Sequence, residues 1–492
     1  MLFTEFRFFW FFVIVFLVYW LMQRNSHRKI WLLICSYIFY GAWDWRFLSL
    51  IWLSTVIDYI AGVKLANTED AAARKKWLIL SMCGNLGLLG FFKYFNFFVG
   101  STADFMGFLG LPMQYQTLKI VLPAGISFYT FQTMSYTIDV YRGKLAGVKN
   151  FRDFALFVSF FPQLVAGPIV RAADFLPQLT TTKNIATVNF RDCLVLFLVG
   201  FIKKACISDR ISVIVDQYFT APDTYTASSA WVGVLFYAVQ IYCDFSGYTD
   251  MAIATAGLLG YELCVNFDFP YFATNISEFW RRWHMSLSTW LRDYLYIPLG
   301  GNRGSKLFAY RNLMLTMLLG GLWHGAGWNF VIWGGLHGGA LILHRVWSNS
   351  IQKPDAETGF LRQFMYMNRD LPKKPGFFID TPSFFSIIGA ILTFYWVCLA
   401  WIFFRARDFH SAISTLQSFV FFHSNGTNQL DLNLLWVFAF FALIHFATYR
   451  RLCHNWWHRI PGWSFAAFYG FAFSVTLLFI APNYAPFIYF QF

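Results

Sequence analysis

Two histidines lie in sequence contexts that suit acid–base chemistry. His324 lies in the segment GGLWHGAGWNF, where it ends one apolar stretch and precedes another, with glycines on both sides. Glycine lets a backbone or a ligand approach closely, and a neutral imidazole can act as a base near pH 7. The alternative is that His324 only forms hydrogen bonds inside a membrane span. The residues by themselves leave both interpretations open.

The second histidine, His284, lies in an unusually polar and aromatic segment. Residues 266–312 combine Trp, Arg, His and Pro and are too polar for a helix that simply crosses lipid. The spacing of the aromatic residues predicts one helix over Ser277–Tyr296, with Asn275 or Ser277 capping its start. Such a helix either lies flat at the membrane interface or folds into the protein and lines a cavity. The His and Ser residues between the tryptophans favour the cavity.

Two carboxylates, Asp244 and Asp250, lie in the segment YCDFSGYTD within an otherwise apolar run. A carboxylate at membrane depth costs about 2.5–3.5 kcal/mol or more, so each is a candidate functional group. The structural alternative is that each pairs with an arginine, such as Arg281 or Arg282, and holds helices together.

The sequence lacks the motifs of several other protein classes. There is no GxxxxGK[ST] phosphate-binding loop and no GxSxG nucleophile motif. The eight cysteines include no CxxC pair, and we predict no metal site. The net charge of +13 is typical of basic cytoplasmic loops, so we predict no nucleic-acid partner.

The elements that must position these residues are membrane helices. Hydrophobic residues make up 58% of the chain and charged residues 13%, whereas soluble domains are about 25% charged. A span needs about 20 apolar residues, so we predict an all-α polytopic membrane protein with about 11–13 membrane segments, some of them re-entrant. The segments are Phe8–Met22, Ile30–Tyr40, Phe47–Val63, Trp77–Val99, Leu118–Val140, Phe154–Val170, Cys193–Val215, Ser229–Leu259, Leu307–Leu322, Trp328–Val346, Phe384–Phe404, Leu432–Tyr449 and Trp463–Ile480.

Basic residues between the segments predict the orientation of the chain. Two segments separate the basic loops Arg24–Lys29 and Lys64–Lys76, so both loops lie on one side. The positive-inside rule makes that side cytoplasmic and places the N-terminus on the outer side. The longest polar stretch, Ser348–Pro382, is also expected to be cytoplasmic. We predict one membrane domain over 1–492, surrounded by lipids.

Three long motifs in the middle of the chain resemble the membrane-bound O-acyltransferase (MBOAT) family. They are DFSGYTDMAIATAGLLGYEL, NISEFWRRWHMSLSTWLRDYLYIPLGGNRG and LWHGAGWNFVIWGGLHG. They are most similar to the AlgI-like branch, the alginate O-acetylase membrane subunits; the D-alanylation protein DltB is a more distant relative. The resemblance is strong over residues 242–339. Upstream, LPAGISFYTFQTMSYTIDVYRG and FPQLVAGPIVR are also similar to this branch.

The resemblance implies an MBOAT fold with a tunnel across the bilayer and transfer of an acyl group to a hydroxyl. The family's WHG histidine matches His324, which is expected to be the principal catalytic residue, and its RWH histidine matches His284. Other family-typical positions, expected to bind substrate or line the tunnel, are Asp244, Trp280, Arg282, Trp283, Ser286, Trp290, Asp293, Asn312 and Trp323.

The resemblance also implies a bacterial inner membrane with its lipids, which makes the outer side of the N-terminus the periplasm. It further implies the donor and the partners. No cofactor is expected to be bound permanently, and cytoplasmic acetyl-CoA is the expected acyl donor. The acetyl group would reach an extracytoplasmic polysaccharide (alginate-like, cellulose, peptidoglycan or another exopolysaccharide) through a periplasmic SGNH-type partner. One alternative is a DltB-like exporter of D-alanyl or other acyl groups, supplied by a carrier protein. Another is a transporter or flippase that uses Asp244 and Asp250, although the sequence shows no internal repeat.

Overall fold

A computed structural model of the chain describes residues 1–351, 384–452 and 455–481. These residues form α-helices with short 3-10 and π-helical segments, joined by turns and by a few longer irregular connections such as 109–125, and they include no β-strand, as the composition predicted. Of the predicted polar loop Ser348–Pro382, residues 348–351 end a helix and the others lie outside the described ranges. The contacts group the chain into two compact units, and the single domain over 1–492 stays a prediction.

Unit 1 consists of Met1–Asp209, Tyr242–Val265 and the residues from Trp457 onward. Its helices are α1 (Phe6–Leu21), α2 (Asn25–Asp44), α3 (Leu48–Ala66), α4 (Ala71–Leu89), α5 (Phe95–Phe108), α6 (Ile126–Tyr141), α7 (Phe151–Ser159), α8 (Phe161–Leu164), α9 (Ala172–Thr180) and α10 (Phe190–Phe201).

Unit 2 consists of Arg210–Ile241 and Asn266–Trp456. The helices that follow α10 along the chain are α11 (Asp209–Thr220), α12 (Ala227–Leu258), α13 (Ile276–Arg282), α14 (Met285–Leu291), α15 (Lys306–His324), α16 (Trp328–Ile351), α17 (Phe384–Arg405), α18 (Phe409–Phe421) and α19 (Leu434–Tyr449). The last helix, α20 (Gly462–Leu478), belongs to unit 1, and α12 contributes residues to both units.

Helix α1 shows how these helices suit a membrane. Phe8 and Tyr19 are buried against the rest of unit 1, whereas Trp10, Ile14 and Leu17 are each more than half exposed. A helix with apolar side chains on its inner and outer faces is stable in lipid. By length and composition, the stretches 25–66, 71–108 and 384–405 can cross a membrane, and α1, α19 and α20 are shorter apolar helices.

Not every predicted span is a continuous helix. The predicted segment Leu118–Val140 is helical only from Ile126 onward. Pro123 lacks the N–H that a helix requires, and Gly125 takes the left-handed conformation with φ of 73°. The predicted segment Cys193–Val215 is likewise divided into α10, a π-helical turn and α11.

The first basic segment, Arg24–Lys29, was predicted to be a loop, and this is wrong. It lies almost wholly in α2, and Arg28 and Lys29 find polar partners inside unit 1. Arg28 donates to the backbone carbonyl of Lys183 (2.7 Å), and the Lys29 ammonium is 2.7 Å from the Asp153 carboxylate. The periplasmic N-terminus stays a prediction.

The two carboxylates of the YCDFSGYTD segment lie in unit 1 and form ion pairs with lysines. The Lys204 ammonium lies 2.6 Å from Asp244 and 2.7 Å from Asp209, and Lys203 lies 2.7 Å from Asp250. The idea of a structural ion pair is therefore confirmed, but the arginine partners are wrong. Two consecutive lysines in the π-helical turn after α10 supply the positive charges.

Candidate active site

His324 is held by a helical hairpin whose two helices touch through glycines. It is the last residue of α15, and α16 begins four residues later. A Cβ atom at Gly321 would lie 2.1 Å from the Phe330 carbonyl oxygen, and one at Gly334 would lie 2.3 Å from that of Met317. No other residue fits at these two positions without moving a backbone. The glycines therefore set the position of His324 against α16.

We expect Gly334→Ala to destabilise the protein and Gly335→Ala to leave it unchanged or slightly more stable. The added methyl at position 334 would overlap a backbone carbonyl, and overpacking of this kind costs about 1–3 kcal/mol. At Gly335 the nearest atom is a Leu318 methyl at 3.6 Å, an ordinary contact, and alanine favours a helix. The midpoint of thermal unfolding in detergent checks this. Equal midpoints for the two variants would contradict it.

The His324 imidazole is buried among aromatic rings. It is 2% exposed, and its ring centroid lies 5.0 Å from Trp323, 4.9 Å from Trp333 and 5.3 Å from Phe404. Trp333 comes from α16 and Phe404 from α17, so three helices form this pocket. Such a pocket excludes water, which strengthens electrostatic interactions inside it.

The single helix predicted over Ser277–Tyr296 is broken at the second histidine. Helix α13 ends at Arg282, His284 takes the left-handed conformation (φ 43°, ψ 55°), and α14 starts at Met285. The reason is a contact from another part of the chain, because the Met285 N–H donates to the Asn266 carbonyl (2.9 Å) instead of continuing the helix. Aromatic spacing could not reveal this competing bond.

The break brings His284 next to His324. Their ring centroids are 6.5 Å apart, and His284 is fully buried and 6.0 Å from the Trp323 ring. Its Nδ1 lies 3.2 Å from the side-chain oxygen of Asn266, and that oxygen also accepts from the Ser286 hydroxyl (2.9 Å). Burial lowers the pKa of His284, so the ring is neutral. The two catalytic candidates, together with Ser286 and Trp323, therefore lie at one place.

Trp280 and Trp283 extend the aromatic pocket. The Trp280 ring lies 5.6 Å from Trp333 and 5.1 Å from His337, and the Trp283 ring lies 5.1 Å from Trp401. Both predicted tryptophans are buried, so the segment folds into the protein rather than lying flat at an interface. The residues predicted from the sequence do not include five others in this pocket, Asn266, Trp333, Trp401, Phe404 and His337. The Gly-rich context WGGLHG of His337, which is like that of His324, was the signal that could have found it.

Several buried polar atoms of this pocket have no hydrogen-bond partner within the described ranges. They are Nε1 of Trp280, Trp333 and Trp401 and both ring nitrogens of His337. An unsatisfied buried polar group costs about 1–3 kcal/mol. The pocket therefore offers donors and acceptors to polar atoms of a ligand or to water.

A cavity of about 50 Å³ lies beside Trp280, large enough for a few water molecules. Its lining is mostly apolar and includes Trp280, Ser288, Leu291, Arg292, Tyr296 and Thr316. Arg292 is 7% exposed. Trp280, one of the residues predicted to line the tunnel, lies on the wall of this space.

Arg282 lies at the end of α13 and forms an ion pair along that helix. Its guanidinium is 2.7 Å from the Glu278 carboxylate and 6.0 Å from the ring centre of Tyr449. The predicted cap at the start of the helix is confirmed, since the Asn275 side chain accepts from the Glu278 N–H. These contacts hold Arg282 in place within unit 2, and its predicted contact with substrate stays a prediction.

The other predicted residues make contacts that stabilise local structure. Trp290 packs on Tyr294, with ring centroids 5.2 Å apart. Asp293 pairs with the preceding arginine (2.9 Å). Asn312 is fully buried and donates to the Gly301 carbonyl (3.1 Å), which anchors the glycine-rich turn before α15. Asp244, in unit 1, makes the lysine ion pair described above.

Comparisons with known proteins agree on one family. Residues 144–367 match the family model of the membrane-bound O-acyltransferases. A peptidoglycan O-acetyltransferase of Helicobacter pylori is 38% identical over 436 residues, which cover 82% of this chain and 77% of that protein. A probable alginate O-acetylase, AlgI, of Pseudomonas syringae pv. tomato is 40% identical over 413 residues, which cover 84% of this chain and 74% of that protein. A teichoic acid D-alanyltransferase of Streptococcus thermophilus is 29% identical over 304 residues, which cover 57% of this chain and 67% of that protein.

Proposed function

Because the chain belongs to the membrane-bound O-acyltransferase family, we propose that it transfers acetyl groups to hydroxyls of an extracytoplasmic polysaccharide. The observation that carries this proposal is the pair of buried histidines, His284 and His324, whose rings lie 6.5 Å apart in an aromatic pocket. Two relatives that align over more than four-fifths of the chain are a probable alginate O-acetylase and a peptidoglycan O-acetyltransferase. Both names describe acetylation of a polysaccharide.

The two histidines supply what acyl transfer from a thioester needs. The hydroxyl of the acceptor attacks the thioester carbonyl carbon, and one imidazole takes the hydroxyl proton as the new bond forms. The carbonyl oxygen gains negative charge in this step, and the indole N–H groups of Trp280 and Trp333 are the candidate donors to it. The C–S bond then breaks and the thiol leaves. No metal is needed for any of these steps.

Acetyl-CoA from the cytoplasm is the proposed donor, and no permanently bound cofactor is required. Its acetyl group would move through a tunnel lined by Trp280, Trp283, Trp323 and Ser286, so that the CoA stays inside. We place the protein in a bacterial inner membrane with its N-terminus in the periplasm. The partner proposed there is an SGNH-type acetyltransferase that completes transfer to the polysaccharide.

Export of D-alanyl groups is the second candidate. The observation in its favour is the aligned teichoic acid D-alanyltransferase, which covers 57% of the chain at 29% identity. The higher identity and coverage of the acetyl-transferring relatives favour acetyl. The hypothesis of a transporter or flippase is not supported, because the two carboxylates that it would use, Asp244 and Asp250, each form an ion pair with a lysine.

A host that lacks its own gene of this family is expected to gain acetyl esters on its surface polysaccharides when it expresses this chain. The esters are measured as acetate that mild base releases from alginate-like, cellulose and peptidoglycan fractions, and D-alanine released from the same fractions is measured in parallel. The SGNH-type partner is co-expressed in one arm and omitted in the other.

Acetate in one polysaccharide fraction, dependent on the chain, supports the proposal and identifies the acceptor. D-alanine without acetate would overturn it in favour of the second candidate. Acetate that is equal with and without the SGNH-type protein would show that this partner is not required. A host that carries the empty vector, grown to the same density, is the control for esters made by other enzymes.

A further inference from the structure

We propose that His337 binds the acetyl donor: its imidazole and the indole N–H of Trp401 form hydrogen bonds with an amide of the arm that carries the thioester in acetyl-CoA. This arm contains amide groups, each of which joins a C=O acceptor to an N–H donor. The inference rests on the proposed transfer from acetyl-CoA and deepens it, because it names a binding subsite apart from His284 and His324.

The ring nitrogens of His337 are buried without a partner. The residue lies midway along α16 and is fully buried. In the part of the chain that the structure describes, neither nitrogen of the ring forms a hydrogen bond. Aromatic rings enclose it instead, with centroid distances of 4.8 Å to Trp333, 5.1 Å to Trp280 and 6.0 Å to Phe279. An unsatisfied buried polar group is costly, so a ligand that pairs with these nitrogens gains affinity.

The neighbouring polar atoms define the chemistry of the ligand. A neutral imidazole offers one N–H and one acceptor nitrogen, whereas an indole offers only an N–H. Trp280 and Trp333 are the candidate donors to the thioester carbonyl. Trp401, whose buried N–H also has no partner within the described ranges, has its ring centroid 6.5 Å from His337. An amide matches this pair, because its oxygen accepts from an N–H and its own N–H donates to the acceptor nitrogen.

His337 lies between the cavity beside Trp280 and the catalytic candidate His324. Trp280 lines the cavity and contacts His337, and Leu341, one helical turn after His337, also lines it. The Trp333 ring lies 4.8 Å from His337 and 4.9 Å from His324, so the two imidazoles are within about 10 Å of each other. A chain that extends from this cavity to His324 can therefore contact His337 on the way.

The arm of acetyl-CoA has a length that suits this spacing. A fully extended chain advances about 3.5 Å over three bonds, so the two amide nitrogens of the arm lie about 5 and 9 Å from the thioester carbonyl carbon. An arm whose thioester lies at His324 therefore brings an amide level with His337.

The walls of the cavity favour the arm over a sugar of the acceptor. Most of the lining is apolar and includes Leu291, Leu313, Met317 and Leu341. Methylene groups separate the amides of the arm, which suits apolar walls that carry a few polar groups. A sugar has hydroxyls on all sides, and apolar walls would leave them without hydrogen bonds.

The charges of the hairpin agree with this direction. Because α15 and α16 form a hairpin, the end remote from His324 combines the start of α15 with the end of α16. Lys306 and Arg345 lie near that end, and residues 294–354 contain no Asp or Glu. This end attracts the phosphates of CoA, so the arm extends from there past His337 toward His324.

His337→Phe tests the proposal in the full-length protein. Phenylalanine keeps a ring against Trp280 and Trp333 but has no nitrogen. Membranes that contain the chain and the polysaccharide it acetylates receive acetyl-CoA labelled in the acetyl group, and labelled polysaccharide is measured per folded protein. The variant is expected to raise KM for acetyl-CoA about 10-fold and to change kcat little, because the lost hydrogen bonds hold a part of the donor that does not react.

A second acetyl donor separates amide binding from a merely structural role. S-acetyl hexanethiol has the same thioester on a chain without amides, and His337→Phe is expected to leave its kcat/KM unchanged. Where its turnover is slow, its inhibition constant against acetyl-CoA gives the same comparison. Equal losses for both donors would show that His337 only supports the pocket and would overturn the proposal.

Trp401→Phe is the second variant, and it keeps the test decisive if His337→Phe does not fold. It removes the indole N–H and retains an aromatic ring, so it is expected to raise KM for acetyl-CoA about 3–10-fold, again without effect on S-acetyl hexanethiol. An unchanged KM for acetyl-CoA in the folded variants would overturn the proposal while the acyl transfer stands.

His445→Phe is the matched control. His445 is a further buried histidine of unit 2, and its ring packs on Phe269 and Phe272 at 5.1 and 5.2 Å. The same substitution there is expected to leave both donors unaffected. If the wild-type protein labels polysaccharide only from an acyl carrier protein, acetyl-CoA is the wrong donor and the proposal is overturned. If it labels none from either source, the proposed function itself has failed.

Discussion

His324→Ala is expected to reduce acetyl transfer by about 10²–10⁴-fold, the range that acid–base groups contribute. The imidazole is 2% exposed and contacts the rings of Trp323, Trp333 and His284, so no solvent group can take its place. The rate of acetyl incorporation into polysaccharide is measured at matched amounts of folded protein in the membrane.

His423→Ala is the control for this experiment, because His423 is exposed and lies outside the pocket. It is expected to keep the wild-type rate. Equal rates for His324→Ala and wild type would show that His324 is a structural residue. In that case the proposed site would be wrong, even if the chain acetylates a polysaccharide.

Lys204→Met is expected to have the largest effect on stability. Its side chain is 3% exposed, and its ammonium lies between the carboxylates of Asp209 and Asp244, which are also buried. Removal of one partner from a buried ion pair costs about 3–5 kcal/mol, because it leaves an uncompensated charge in a medium that solvates it poorly. The amount of folded protein in detergent and its midpoint of thermal unfolding measure this loss.

Lys64→Met is the matched control, since Lys64 is exposed on α3, and it is expected to change the unfolding midpoint little. In the background of Lys204→Met, the further changes Asp209→Asn and Asp244→Asn are expected to restore part of the stability, because they remove the unpaired charges. A Lys204→Met protein that unfolds at the wild-type temperature would contradict the ion-pair interpretation of Asp244.

The sequence determined the class of fold, the family and the segment in which the site lies. These properties depend on composition and on short stretches of sequence, which are the same however the helices pack together. The apolar content requires helices in lipid, the observed hairpin of α15 and α16 matches the two predicted segments around WHG, and the long motifs identify the family. The Asn275 cap was predictable for the same reason, since it is a bond between residues three positions apart.

The tertiary structure decided how the candidates meet. The break at His284 depends on hydrogen bonds that Asn266 accepts, and Asn266 lies 18 residues earlier and belongs to no recognisable motif. The lysine partner of Asp244 comes from position 204, on a different helix. Periodicity and spacing describe only neighbours along one helix. These partners come from distant segments that pack together in the folded chain. A buried charge or hydrogen-bond donor there pairs with the group that packing places opposite it.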